Sequence, residues 1–107
     1  MFILLNTYTA PLDRIDELLP EHRAWVHKHF AAGDFFIGGR REPRTGGFVI
    51  AFGDDKAAIE DILAQDPLVG YGVVEWHIEQ VEVQLSGNEA IRDALAEHNT
   101  PTEVPQP

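Results

Sequence analysis

Two kinds of hydrophobic spacing alternate along this chain of 107 residues, and their order constrains the fold more than any other feature. Runs rich in β-branched and aromatic residues predict strands, whereas apolar residues at every third or fourth position predict helices. The segments follow one another in the order β-α-β-β-α-β, with one more helical segment behind them. This order predicts the ferredoxin-like α+β fold, in which two helices cover one face of a four-stranded antiparallel sheet.

Four segments have the composition of strands, and turn residues bound each of them. They are residues 2–9, 35–39, 48–52 and 73–85. A charged loop over residues 40–45, closed by Gly46 and Gly47, separates the second strand from the third.

The first helical segment covers residues 13–32, and its apolar stripe predicts that one face packs on the sheet. Pro20 lies inside this segment and has no N–H to donate, so we expect a break there, with the main helix starting near Pro20. Gly33 is suited to end the helix.

Two more helices are predicted downstream. The second begins after an N-cap at Asp54 or Asp55 and ends at the Asp66–Pro67 step. The third follows Ser86, whose spacing from Glu89 is that of a capping box.

The second face of the predicted sheet has no helix to cover it. The first strand is apolar on both sides, since Phe2 and Leu4 alternate with Ile3 and Leu5. A second copy of the chain is the simplest cover and predicts a two-fold homodimer with facing sheets. The C-terminal helix is an alternative cover for part of this face.

Composition excludes several functions. Eight Lys and Arg against 18 Asp and Glu give a net charge of −10, which argues against nucleic-acid and anionic-membrane partners. The absence of Cys removes disulfides, thiolate metal sites and cysteine nucleophiles, and it fits a reducing cytosol. No segment has the length of a membrane helix or the pattern of a signal peptide. We therefore expect a cytoplasmic protein with one domain over residues 1–99 and a disordered tail over residues 100–107.

His22 is the first candidate for chemistry. It lies on the apolar stripe of the first helix, so its imidazole is predicted to point into the interior or into a cleft. A core histidine that bonds a backbone carbonyl would show the same pattern.

Asp66 is the second candidate. Pro67 holds it in an extended conformation, from which its carboxylate could orient an imidazole. An Asp that caps a turn is common at such junctions and is the alternative.

No metal or cofactor is predicted. His22, His27 and His29 lie on one helix, but only His22 and His29 share a face, and about two turns separate them, which is too far for one metal ion. The glycines match no nucleotide-binding pattern.

Arg40, Arg41 and Arg44 form a basic patch beside glycines in an otherwise acidic chain. Such a patch could bind the carboxylate or phosphate of a ligand. A solvated loop whose arginines pair with nearby acids is the alternative.

The layout resembles the YciI-like (YCII-related) family over about residues 1–85. The segments that carry the resemblance are residues 21–23, 32–39, 46–50, 65–68 and 72–75. The resemblance implies a ferredoxin-like fold of the dimeric α+β barrel type, and a site centred on a His/Asp pair at His22 and Asp66. One branch of the family looks like a dehydrochlorinase of chlorinated hydroxyquinols. Many members have Gly-Pro after the second strand, whereas Arg40 follows Gly39 here, which favours an anionic ligand.

Together these features predict general acid/base chemistry on a small anionic or aromatic molecule. His22 would move the proton, Asp66 would fix its tautomer, and Asn6, Tyr8, Gly39 and Arg40 would line the substrate site. Elimination, isomerisation and hydrolysis all fit. A metabolite-binding module without turnover and a purely structural dimeric domain are the alternatives.

Overall fold

The computed structural model describes residues 1–98 and 100–105. Eight elements follow one another along the chain. They are β1 (Phe2–Tyr8), α1 (Leu12–Ala31), β2 (Phe35–Arg40), β3 (Gly47–Ala51), α2 (Lys56–Ala64), α3 (Pro67–Gly70), β4 (Val74–Gln80) and α4 (Glu89–Ala96).

The sheet has the strand order β2-β3-β1-β4, and every neighbouring pair is antiparallel. This confirms the predicted ferredoxin-like α+β fold. The main core lies on one face of the sheet, where Phe2 and Leu4 of β1 meet Trp25 of α1 and Ile59 and Leu63 of α2. Burial of these apolar side chains is the main force that holds both helices to that face.

The predicted break at Pro20 is wrong, because α1 runs through it. Ile15 and Leu18 before the proline are buried in one cluster and Trp25 after it in the other, so packing holds the helix on both sides. The carbonyl of Asp16 loses its helical partner at Pro20, but both residues are exposed, so that water can bond this carbonyl. The predicted end is confirmed, since Gly33 follows the last turn with a φ of 83°.

The predicted fourth strand, residues 73–85, is too long. β4 ends at Gln80, which pairs with Phe2, the first residue of β1, and Val81 N–H then donates to the Met1 carbonyl. The pairing of β4 with β1 therefore stops at Gln80 and Phe2.

The spacing of Ser86 from Glu89 predicts that Ser86 caps α4, and this prediction is wrong. The cap is Asn88, whose Oδ1 accepts from Ile91 N–H at 2.9 Å, because Asn88 directly precedes the first helical residue. The Ser86 hydroxyl is instead 2.8 Å from that of Thr102.

The C-terminal residues lie beside the segment that follows β4. Ser86 N–H donates to the Glu103 carbonyl, and Glu103 N–H donates to the Gln84 carbonyl. Residues 106 and 107 of the predicted tail lie outside the described residues, and so does Asn99, the predicted end of the domain. The boundary between domain and tail therefore stays a prediction. Within the described residues, no helix is long and apolar enough to cross a membrane. The cytoplasmic location also stays a prediction.

Candidate functional site

A pocket of about 430 Å³ opens between α1 and one end of the sheet. β1 and β2 end there, and β3 and β4 begin there. The strand order therefore collects side chains from distant parts of the sequence. Five of the six residues predicted for the site line this pocket, namely Asn6, Tyr8, His22, Gly39 and Arg40.

His22 projects from α1 toward the pocket, and its side chain is 14% exposed. Its Nδ1 atom is 2.7 Å from Oδ1 of Asp66. The other ring nitrogen, Nε2, has no hydrogen-bond partner among the residues that the structure describes. His22 is therefore held on one side by a carboxylate and open to the pocket on the other.

Asp66 lies behind His22, and its side chain is fully buried. It stands between α2 and α3 with φ −59° and ψ 123°, the extended conformation expected before Pro67. Its Oδ1 also accepts from Leu68 N–H at 3.0 Å and thereby caps α3, a short helix that was not expected from the sequence. The same oxygen of Asp66 therefore caps the helix and contacts the imidazole, so both predicted contacts are present.

The other carboxylate oxygen of Asp66 accepts from Trp76 Nε1–H at 2.9 Å. An ionised carboxylate can only accept, so Nδ1 is the donor in the His22–Asp66 bond when Asp66 is ionised. In the neutral ring, Nε2 then carries the lone pair on the side of the pocket, the arrangement that a general base needs.

Asn6 is buried beneath the pocket, and its two amide atoms differ in role. Oδ1 accepts from Gly47 N–H at 2.7 Å and fixes the start of β3 against β1. Nδ2 has no acceptor among the described residues and remains available to a ligand. Gly46 lies so close to Asn6 that a Cβ would come within 1.8 Å of the Asn6 carbonyl oxygen, so only glycine fits there.

The predicted basic patch divides in the structure. Arg40 lines the pocket, is 65% exposed and lies 3.4 Å from Glu42. Arg41 turns toward β1, where it donates to the Asn6 carbonyl and the Thr7 hydroxyl, and it does not line the pocket. Arg41 therefore makes a structural contact between the loop and β1, with a carbonyl and a hydroxyl rather than with an acid.

Arg44 lines the pocket and donates to the carboxylate of Asp16 on α1. This hydrogen bond lowers the pKa of Asp16 below its ordinary value of 3.8, and the charges of Arg44 and Arg23 lower it further, against a smaller rise from desolvation. The same bond raises the pKa of Arg44. The ion pair joins the loop before β3 to α1 at the mouth of the pocket.

Several lining residues were not singled out from the sequence. Leu19 and Val26 lie three before and four after His22, a spacing that places them on its helix face and could have revealed them. Arg23 and His27 also line the pocket from α1. Trp76 comes from β4, and no local pattern links it to Asp66, since the sheet alone brings them together.

No group of three potential metal ligands forms within residues 1–98 and 100–105. His29 shares its face of α1 with His22, as predicted, but it is buried and its Nδ1 lies 2.8 Å from Asp34.

The fold and the pocket define a ferredoxin-like α+β protein with a candidate small-molecule site. The chain belongs to the YCII-related family, whose domain model matches residues 1–83. This confirms the family resemblance.

Among solved structures, the fold is similar to that of 5-chloro-2-hydroxyhydroquinone dehydrochlorinase from Burkholderia phenoliruptrix, in complex with 2,5-dihydroxybenzoquinone. The TM-score is 0.64 at 18% identity, and the match covers 78% of this chain and 95% of that protein. This likeness shows a shared fold. The comparison with curated proteins found no match.

The Asp16–Arg44 pair predicts a pH-dependent contribution to stability. Because the pKa of Asp16 is lowered by folding, the contribution is present above the ordinary value of 3.8 and is lost as the pH falls through the lowered value. Urea unfolding should therefore show that Asp16→Asn is less stable than the native chain at neutral pH, with a difference that shrinks well below pH 3.8. The difference should be small because the Asp16 carboxylate is exposed and its Arg44 partner is only partly buried. Equal differences at both pH values would contradict this assignment.

Proposed function

We propose that this pocket is an active site in which His22 performs general acid/base chemistry on a small anionic or aromatic molecule. The observation that carries the proposal is the 2.7 Å contact between His22 Nδ1 and Asp66, with Nε2 left free at a pocket. The reaction class is elimination, isomerisation or hydrolysis. All three need one group that removes a proton and returns it.

The chemistry follows from the two ring nitrogens. The neutral imidazole takes a proton from the substrate at Nε2, and the resulting imidazolium is stabilised by the carboxylate of Asp66 at Nδ1. The proton is then delivered from Nε2 to the product or to water. Asp66 stays bonded to Leu68 N–H and Trp76 Nε1–H throughout, so the ring keeps its orientation while its charge changes.

Substrate binding is assigned to four lining residues. Arg40 attracts an anionic group, Asn6 Nδ2 and the Tyr8 hydroxyl supply hydrogen bonds, and Gly39 leaves room beside the ring of Phe48. Arg23 and Arg44 also line the pocket, so three of the eight Lys and Arg of an acidic chain are at this place. The volume of about 430 Å³ lies within the usual range for small-molecule sites, roughly 300–1,000 Å³.

The structural neighbour supports the class of ligand. It is a dehydrochlorinase, and it binds 2,5-dihydroxybenzoquinone, a small hydroxylated quinone. A compound of this kind carries the planar ring and the polar oxygens that the aromatic and cationic side chains of the pocket could bind.

A module that binds a metabolite without turnover is the second candidate. The structural bonds of Asp66 to Leu68 and Trp76 favour it, because they would need the carboxylate even if His22 moved no proton.

A His22→Gln variant separates these candidates. The test screens the native chain against small hydroxylated and carboxylated aromatic compounds, including 5-chloro-2-hydroxyhydroquinone, and follows product by chromatography. For any compound converted, kcat/KM should fall by about 10²–10⁴-fold in His22→Gln, the usual contribution of a general acid/base. His77→Gln is the matched control, since His77 forms an exposed pair with Glu79 at 2.6 Å and does not line the pocket, and its rate should be native.

Two outcomes contradict the enzymatic proposal. One is full turnover by His22→Gln. The other is binding of 2,5-dihydroxybenzoquinone to the native chain, seen by calorimetry, without conversion of any compound tested, which favours the binding module.

We also propose that two copies pair through the open face of the sheet. Ile3, Ile50 and Ile37 lie opposite one another on three neighbouring strands and form a row on the face away from α1 and α2. Ile3 is 36% exposed and Ile37 is 51% exposed. The chain itself, including the C-terminal helix α4, leaves Ile3 and Ile37 exposed. A second copy would bury the row.

Ile37→Glu tests the pairing. Sedimentation of the native chain at micromolar concentration should give about twice 12.0 kDa, and Ile37→Glu should give 12.0 kDa, because a charge at the centre of an apolar interface is strongly unfavourable. Ile91→Glu is the control, since Ile91 is 38% exposed on α4, and it should remain a dimer. A native chain that sediments only at 12.0 kDa would disprove the homodimer.

A further inference from the structure

Asp66 has two oxygens, and different groups hold them. Oδ1 accepts from Leu68 N–H and from His22 Nδ1–H, whereas Oδ2 has one donor among the described residues, Trp76 Nε1–H at 2.9 Å. A carboxylate can rotate about its terminal torsion unless both oxygens are bonded. The indole N–H of Trp76 is therefore the group that fixes the rotation of Asp66 and, through it, the direction in which Oδ1 meets His22.

Trp76 is itself held by rigid elements. It lies on β4 opposite Asn6 of β1, so that the sheet ladder fixes its backbone. Its ring packs edge-on against Trp25 of α1, with 6.2 Å between the ring centroids, and it lines the pocket together with His22. Asp66, in contrast, lies on the short connection between α2 and α3. The indole thus ties this connection to the sheet.

We propose that Trp76 is a positioning residue for the His22 site. It acts through Asp66, since its indole N–H holds Oδ2 so that Oδ1 can keep His22 in the Nδ1–H form with Nε2 directed to the pocket. The proposal rests on the function proposed above, because it assigns Trp76 a role in the same site. It also predicts that the donor, rather than the bulk of the ring, is what position 76 contributes to His22.

A second tryptophan provides the matched control. Trp25 also contacts His22, with 5.7 Å between the ring centroids, and it is buried in the core. Its Nε1 atom, however, is buried without a hydrogen-bond partner among the described residues. Trp25→Phe therefore removes an indole N–H that orients nothing, whereas Trp76→Phe removes the one that bonds Asp66.

The test reads the His22 imidazole by proton and nitrogen NMR in the ligand-free full chain. The native protein should show a slowly exchanging Nδ1–H resonance of His22. Trp76→Phe should lose this resonance to exchange with water, and Trp25→Phe should retain it. Retention in both variants would overturn the proposal, and so would loss in both, because loss in both would assign the effect to core packing. A native spectrum without the resonance would overturn it as well.

A second variant covers the case in which Trp76→Phe does not fold. Replacement of Trp76 by 3-benzothienylalanine keeps the bicyclic ring and exchanges the N–H donor for sulfur, and the same loss is expected with the same contrary outcome. This measurement needs neither substrate nor turnover. If the Trp76 variant loses the resonance while His22→Gln keeps full turnover, the positioning role stands and the proposed function is refuted. If the Trp76 variant retains the resonance while His22→Gln is inactive, the proposed function stands and the positioning role is refuted.

Discussion

The buried carboxylate of Asp66 is the interaction on which the candidate site depends. A carboxylate without exposure is strongly unfavourable unless N–H donors surround it, and here three donors come from three separate parts of the fold. The donors are the α1 imidazole of His22, the backbone of Leu68 in α3 and the indole of Trp76 in β4. One side chain thereby joins a helix, a helix start and a strand, and it does so directly behind the pocket.

The charged side chains of the pocket are mainly positive, whereas the net charge of the whole chain is negative. The net charge of −10 is spread over the surface, while Arg23, Arg40 and Arg44 collect at the pocket with only one of them bound to Asp16. Long-range attraction of an anion by the whole protein is therefore not expected. Recognition must come from close contacts inside the pocket, where the cations and the free Nδ2 of Asn6 are within reach of one ligand.

Much of the fold could be predicted from the sequence, because hydrophobic spacing reports which faces are buried. The element order apart from the short α3, an N-cap at Asp54 or Asp55 and the end of α1 at Gly33 follow from local patterns. The structure confirms them, with Asp55 as the cap. Two of the failures have tertiary causes. Packing on both sides of Pro20 overrides the tendency of proline to break a helix. The last residue of β4, Gln80, pairs with the first residue of β1, Phe2.

The candidate site was predictable to a similar degree and for a related reason. His22 and Asp66 stand out through helical phase and through the proline that follows, both of which are local signals. The bond of Trp76 to Asp66 and the separation of Arg41 from the pocket depend on how strands meet across the sheet. No spacing along the chain encodes these contacts, so only the folded structure reveals them.

The central claim is that Asp66 holds His22 with its Nε2 free at the pocket, and the tautomer of His22 tests it most directly. A long-range nitrogen–proton correlation spectrum of the neutral protein distinguishes the two tautomers of each histidine ring. The geometry predicts that His22 carries its proton on Nδ1 and an unprotonated Nε2. A spectrum in which the neutral His22 ring carries its proton on Nε2 would contradict the claim, since the nitrogen that faces the pocket would then have no lone pair with which to accept a proton.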